Sequence, residues 1–155
     1  MRISAVGLQG MKPGRQSVRD PRLDEVDELV RAKKKTYVQV EVVGEDSALT
    51  ADAILCARDA VMDLLLRDLE FVETRLARSE DESEKALLSR IRVALEREQC
   101  VSSLPLTDRE RQVAGSYSLH TLRPVVECNA GEVPDSGPLL NRALRESGYI
   151  SFFTA

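Results

Sequence analysis

Residues 52–99 constrain the fold more than any other stretch, because they are long, charged and crossed by a regular apolar stripe. Leu55, Met62, Leu69 and Leu76 recur every seven residues, and Leu65 and Val72 fall three after Met62 and Leu69. Spacing of this a/d kind sets these side chains along one helical face. A helix over residues 50–78 would run roughly 43 Å at 1.5 Å per residue. The stripe stops at Ser79-Glu80-Asp81-Glu82-Ser83. There Ser79 and Glu82 have the spacing of a capping box, which opens a second helix. That helix carries Leu87, Leu88, Ile91, Ala94 and Leu95 at helical intervals. A short polar loop between two amphipathic helices makes them antiparallel neighbours, so the stretch reads as a helical hairpin.

The 155 residues leave room for one domain, or one domain with an arm. Charged residues make up 31% and aromatics 4%, the balance of a helix-rich chain with long solvated faces. A net charge of −4 gives no electrostatic argument for DNA or any other nucleic acid as partner. Cys56, Cys100 and Cys128 are odd in number and share no metal-ligand spacing, so they read as reduced thiols and no metal site is expected. No apolar run approaches the ~18 residues of a membrane span, and the N-terminus is too short and mixed for a signal peptide. A cytoplasmic protein without a membrane partner is the expectation.

The flanks read as alternating strands and helices. Residues 1–8 form a strand ending at Gly7, and the Gly- and Pro-rich residues 9–15 a loop. Asp20 is a good N-cap with Pro21 at the first helical position. Leu23, Val26, Leu29 and Val30 then mark a buried face. Asp24, Glu25, Asp27 and Glu28 precede Arg31, Lys33, Lys34 and Lys35, an order that complements the helix dipole. Val38, Val40 and Val42 alternate with Gln39 and Glu41, the pattern of a strand. Thr107 and Glu110 form a further capping box opening a helix to about residue 119, with Val113 and Tyr117 inward. Residues 125–128 read as a strand, 139–147 as a helix closed by Gly148, and 149–154 as a last, aromatic strand. Strands separated by helices predict an α/β fold with a small, mostly parallel sheet carrying the hairpin as an insertion.

Four of these stretches, in order, resemble the YchF/Obg-like ATPase family of P-loop NTPases. They are Asp20-Pro21-Arg22-Leu23-Asp24 with Lys33-Lys34-Lys35 and the strand Val38 to Val43; Leu64 to Leu76; Ser103-Leu104-Pro105-Leu106-Thr107 through Leu119 to Val126 and Asn129-Ala130-Gly131-Glu132; and Arg142-Ala143-Leu144 through Gly148 to Ala155. The resemblance implies a remnant nucleotide-binding domain over 1–48 and 101–138, a helical hairpin insertion over 49–100, and a truncated entry to a TGS-like domain over 139–155. It also implies a ribosome- or translation-linked setting.

The motifs depart from the family where the chemistry lies. A P-loop reads Gly-x4-Gly-Lys-Ser/Thr; its backbone N–H groups wrap the phosphates and its hydroxyl holds Mg²⁺. Counted from Gly7, those last positions hold Lys12, Pro13 and Gly14, so Gly7 alone survives and Lys12 is the one cation near a phosphate position. The Asp-x-x-Gly motif would start at Gly44, where its Asp is missing, and Ser47 replaces its Gly. The family's next strand looks deleted. Without these groups no Mg²⁺ site and negligible hydrolysis are expected. Asn129-x-x-Glu132 matches the family's base-reading motif, which implies ATP or GTP as a ligand; read as residues alone, Asn129 is a turn residue and Glu132 a solvated one.

Elsewhere, His120 reads as a capping or surface histidine, and Ser116 and Ser118 lack a nucleophile context. Three functions follow. The first is a non-hydrolysing relative acting through protein or ribosome contacts of its arm, requiring no cofactor. The second is a residual ATP or GTP binder using Asn129 and Glu132. The third is a homodimer formed by the seam Leu55, Met62, Leu69 and Leu76.

Overall fold

A computed structural model describes residues 1–18, 21–31, 34, 36–129 and 136–147. A sheet of five strands is its centre: β1 (Arg2–Val6), β2 (Gly14–Val18), β3 (Val38–Val43), β4 (Ala53–Ala57) and β5 (Val125–Cys128), in the order β2-β3-β1-β4-β5. Only β2 runs antiparallel; the other pairings are parallel, with Ile3 opposite both Val42 and Ala53, and Ile54 opposite Val125. This is the mostly parallel α/β sheet that the alternation of elements predicts.

Side chains alternate between the two faces of the sheet. Ile3, Val40, Val42, Leu55, Val126 and Cys128 pack on one face with Leu139, Leu140, Ala143 and Leu144 of helix α5 (Ser136–Glu146). Val6, Ile54 and Cys56 pack on the other with Leu64 of helix α2 (Val61–Arg78). Every residue of β4 is buried, so it forms the middle of both cores. The neighbouring Leu65 points instead into the hairpin, where α2 meets α3 (Glu82–Glu96). That core holds Leu65, Val72, Leu87, Leu88, Ile91 and Leu95, and Val101 and Leu119 close it. Helix α4 (Asp108–Gly115) starts at the expected capping box: the Thr107 hydroxyl accepts from Glu110 N at 3.2 Å and Glu110 accepts from Thr107 N at 2.9 Å.

Several expectations are corrected. Residues 50–78 are not one helix. A short 3-10 turn at Glu45–Thr50, strand β4 and a second 3-10 turn at Arg58–Ala60 come before α2. A strand after β3 is therefore present, not deleted, and it falls inside the stretch 49–100 assigned wholly to the hairpin. Leu55 lies in that strand, fully buried, and cannot line a helical seam. Met62 is exposed on α2, while Leu69 and Leu76 are partly buried against the hairpin core. Asp81, not Ser79, caps α3, accepting from Ser83 N and Glu84 N. The loop expected through residue 15 gives way to β2 at Gly14, because the chain pairs there with β3. Helix α4 ends at Gly115 and buries Ala114, whereas Val113 is exposed.

Helix α1 (Pro21–Val30) forms where expected, but none of its residues is buried. Val26, Leu29 and Val30 face outward instead of forming an inner stripe. Asp20, Gly148 and the strand expected over 149–154 lie outside the described residues.

Candidate nucleotide-type site and the clamps around it

Open α/β sheets bind ligands beyond the carboxyl ends of their parallel strands. Here those ends are Gly7 after β1, Gly44 after β3, Arg58 after β4 and Asn129 after β5. Gly7 has φ +67°, a left-handed conformation that glycine tolerates. A Cβ on Gly7 would stand 2.7 Å from Ala60 Cβ and 3.3 Å from Ala57 Cβ, so the 3-10 turn after β4 is packed onto this corner. A phosphate loop leads from its strand into a helix, whose N-terminal amides meet the anion. In this chain β1 leads through residues 7–13 into β2, with no helix between them. Lys12 is exposed, and its carbonyl accepts from Gln16 Nε2 at 2.8 Å.

The position of the second motif is likewise closed on itself. The Gly44 carbonyl accepts from Ser4 Oγ at 3.0 Å and from Ser47 N at 3.1 Å. Asn129 is exposed beyond β5. Next to it, Glu127 pairs with Arg58 at 3.7 Å and its carbonyl accepts from Arg142 Nη2 at 2.8 Å. Glu132 lies outside the described residues. Gly7 and Asn129 thus both stand at strand ends, with β4 between their strands and Ala57 and Ala60 packed close to Gly7.

The polar contacts that hold this frame lie elsewhere, and sequence reading missed them. Asp68 is fully buried on α2, on the same stripe as Leu64 and Val72. Its carboxyl group accepts from His120 N at 2.7 Å, Thr121 N at 2.7 Å and Thr121 Oγ1 at 2.7 Å, with His120 Nδ1 3.1 Å away. Thr121 Oγ1 also accepts from Val101 N at 3.2 Å. His120 is thus no surface histidine: it belongs to a clamp tying the hairpin to the segment that feeds β5. Among the described residues nothing bonds its other ring nitrogen. The detectable signal was a charged residue on an apolar stripe, one helical turn from Leu64 and from Val72.

Arg123 completes the clamp. Its Nε donates to Ala51 O at 2.9 Å, its Nη1 to Leu119 O at 2.9 Å, and its Nη2 to Leu49 O. Burial pushes its guanidinium pKa down.

At the hairpin's far end Glu84 accepts from Ser79 Oγ at 2.5 Å, Tyr117 Oη at 2.7 Å and Arg75 Nε at 2.8 Å. The Ser79 hydroxyl first, then Tyr117 and Arg75, hold the Glu84 carboxyl down at about 2. The Tyr117 ring packs on Phe71 with centroids 5.7 Å apart, and burial pushes its phenol up to about 12. The described residues hold no cluster of metal-ligating side chains, and none of their helices is long and apolar enough to cross a membrane.

No protein-family model matches this chain, and no curated protein matches it. Among solved structures, that of the Schizosaccharomyces pombe YchF GTPase is similar, with a TM-score of 0.56 and 16% sequence identity. The match covers 96% of this chain and 63% of the YchF chain. At that identity the likeness is one of fold, and the fold in common is a mostly parallel α/β sheet with helical elements attached.

Proposed function

We propose that this chain is a non-hydrolysing relative of the YchF-type nucleotide-binding proteins, acting through protein contacts of its helical hairpin. One observation carries the reading: the Gly7 corner is filled by Ala57 and Ala60, and β1 runs on into β2 where a phosphate loop and its helix would stand. No amide cradle forms there for a triphosphate, and no hydroxyl follows a Gly-Lys pair to hold Mg²⁺. The arm, in contrast, is well built. Its two helices are sealed by a continuous core, joined at the tip by Glu84 and tied to residues 120–121 by Asp68, while Met62 and Leu66 on α2 and Val93 on α3 are exposed. The family resemblance makes the ribosome one setting for that partner.

Isothermal titration with ATP and with GTP, each with and without Mg²⁺, tests the proposal. Neither nucleotide is expected to bind more tightly than millimolar or to release phosphate; tighter binding or turnover overturns it. A second reading, a residual purine-nucleotide site without hydrolysis, draws on Asn129 being exposed at the carboxyl end of β5. It requires nucleotide binding in that titration that Asn129→Ala removes.

A further inference from the structure

Helix α1 is turned inside out with respect to its own sequence. Its half-buried residues are Leu23, Asp24 and Asp27, and Asp24 accepts from the Tyr37 hydroxyl at 2.5 Å, which ties this side to the chain just before β3. The apolar residues face away: Val26 is 52% exposed, Leu29 84% and Val30 68%. A ten-residue helix is shorter than the ~12–15 residues an isolated helix needs, so its packing matters. An outward apolar stripe framed by charges is a contact surface.

The charges say what covers it. Glu25 and Glu28 lie within the helix, and Arg31 and Lys34 at and beyond its C-terminal end, all exposed. In the sequence Lys33 and Lys35 extend the basic end. A uniformly acidic or basic partner would match one half of this helix and be repelled by the other. An anionic lipid surface fails for the same reason. A two-fold axis across the helix meets both demands, because the acidic half of each copy then lies on the basic end of the other. We propose that α1 is the homodimerisation element of this protein: the Val26–Leu29–Val30 faces of two copies pack antiparallel, with Glu25 and Glu28 of each against Arg31 and Lys34 of the other. This surface is distinct from the hairpin.

Sedimentation equilibrium on the full chain at micromolar concentrations tests this, with a mass of twice 17.2 kDa expected. Leu29→Glu is expected to give a monomer with unchanged far-ultraviolet circular dichroism, since Leu29 has little to lose on the surface. Glu25→Lys/Glu28→Lys is expected to weaken self-association by about tenfold, as exposed ion pairs counted twice by symmetry would. Arg31→Glu/Lys34→Glu is expected to do the same, and mixing the two variants is expected to restore a dimer. The proposal is overturned by a wild-type monomer, by a dimer that survives Leu29→Glu, by charge reversals that do not complement on mixing, or by a monomer that binds anionic vesicles through Leu29.

Discussion

Asp68→Ala removes the acceptor at the centre of the clamp between α2 and residues 120–121. The Thr121 amide and hydroxyl are fully buried, and the His120 amide is partly buried. The substitution leaves both amides without a partner and the Thr121 hydroxyl with only its bond from Val101 N. An unpaired buried donor costs roughly 1–3 kcal/mol; with the His120 amide only partly buried and the Thr121 hydroxyl keeping one bond, the loss falls low in the summed range, at about 3–5 kcal/mol. In a domain of this size each kcal/mol lowers Tm by about 2–4 °C, so the melting point should fall by roughly 6–20 °C. Asp68→Asn keeps the shape and one acceptor oxygen but turns an NH2 toward donors, and should lose about half as much. Thermal and urea unfolding followed by circular dichroism give both numbers, and hydrogen exchange at the His120 and Thr121 amides locates the loss. Thr121→Val in the Asp68→Ala background should cost less than in the wild type, because the two groups share one bond. A fall of less than about 3 °C for Asp68→Ala, or full additivity with Thr121→Val, would refute the clamp.

The acid limb of stability should carry the signature of Glu84. Its folded pKa, about 2, lies below the usual 4.5, so its contribution is complete above pH 4.5 and is lost as pH falls toward 2. Tm should decline through that window, and Glu84→Gln should flatten part of the decline; a superimposable acid limb would rule out this role. Gly7→Ala combines a positive φ with a Cβ 2.7 Å from Ala60 and should destabilise by roughly 2–4 kcal/mol in urea unfolding. Gly14→Ala, also at positive φ but with open space around its Cβ, should cost less; equal losses would argue against close packing at the Gly7 corner.

The sequence carried those parts of the fold whose signals are local. The Thr107–Glu110 capping box, the valine alternation of β3 and the apolar face of α3 each report a single element, and each formed. What misled was β4. Ala53-Ile54-Leu55-Cys56-Ala57 is buried on both faces, so it is a continuous apolar run, and periodicity cannot tell such a run from part of a helix. Leu55 happens to fall seven residues before Met62, and the heptad absorbed the strand. Edge strand β2, Gly14-Arg15-Gln16-Ser17-Val18, is polar and mostly exposed; only its pairing with β3 makes it a strand. At the candidate site, Gly7 and Asn129 follow β1 and β5, where the strand patterns before them put them. The filling of the corner by Ala57 and Ala60 was not legible, because it joins residues some fifty positions apart.

The strand order also fixes a timetable for assembly. α2 and α3 touch neighbours close in sequence, whereas β1 must wait for β3 and β4 before either of its edges is paired. β4 in turn stays open on one side until β5 has been made. As the chain leaves a ribosome, the hairpin can therefore close while the sheet is still a set of unsatisfied apolar strands. The Asp68 clamp acts at the moment these two histories meet. Once Val101 and Leu119 have closed the hairpin core, bonding of the His120 and Thr121 amides to Asp68 would bring β5 to the open edge of β4. On that order the arm would act as a folding jig for the sheet, and Asp68→Ala should slow the last phase of refolding.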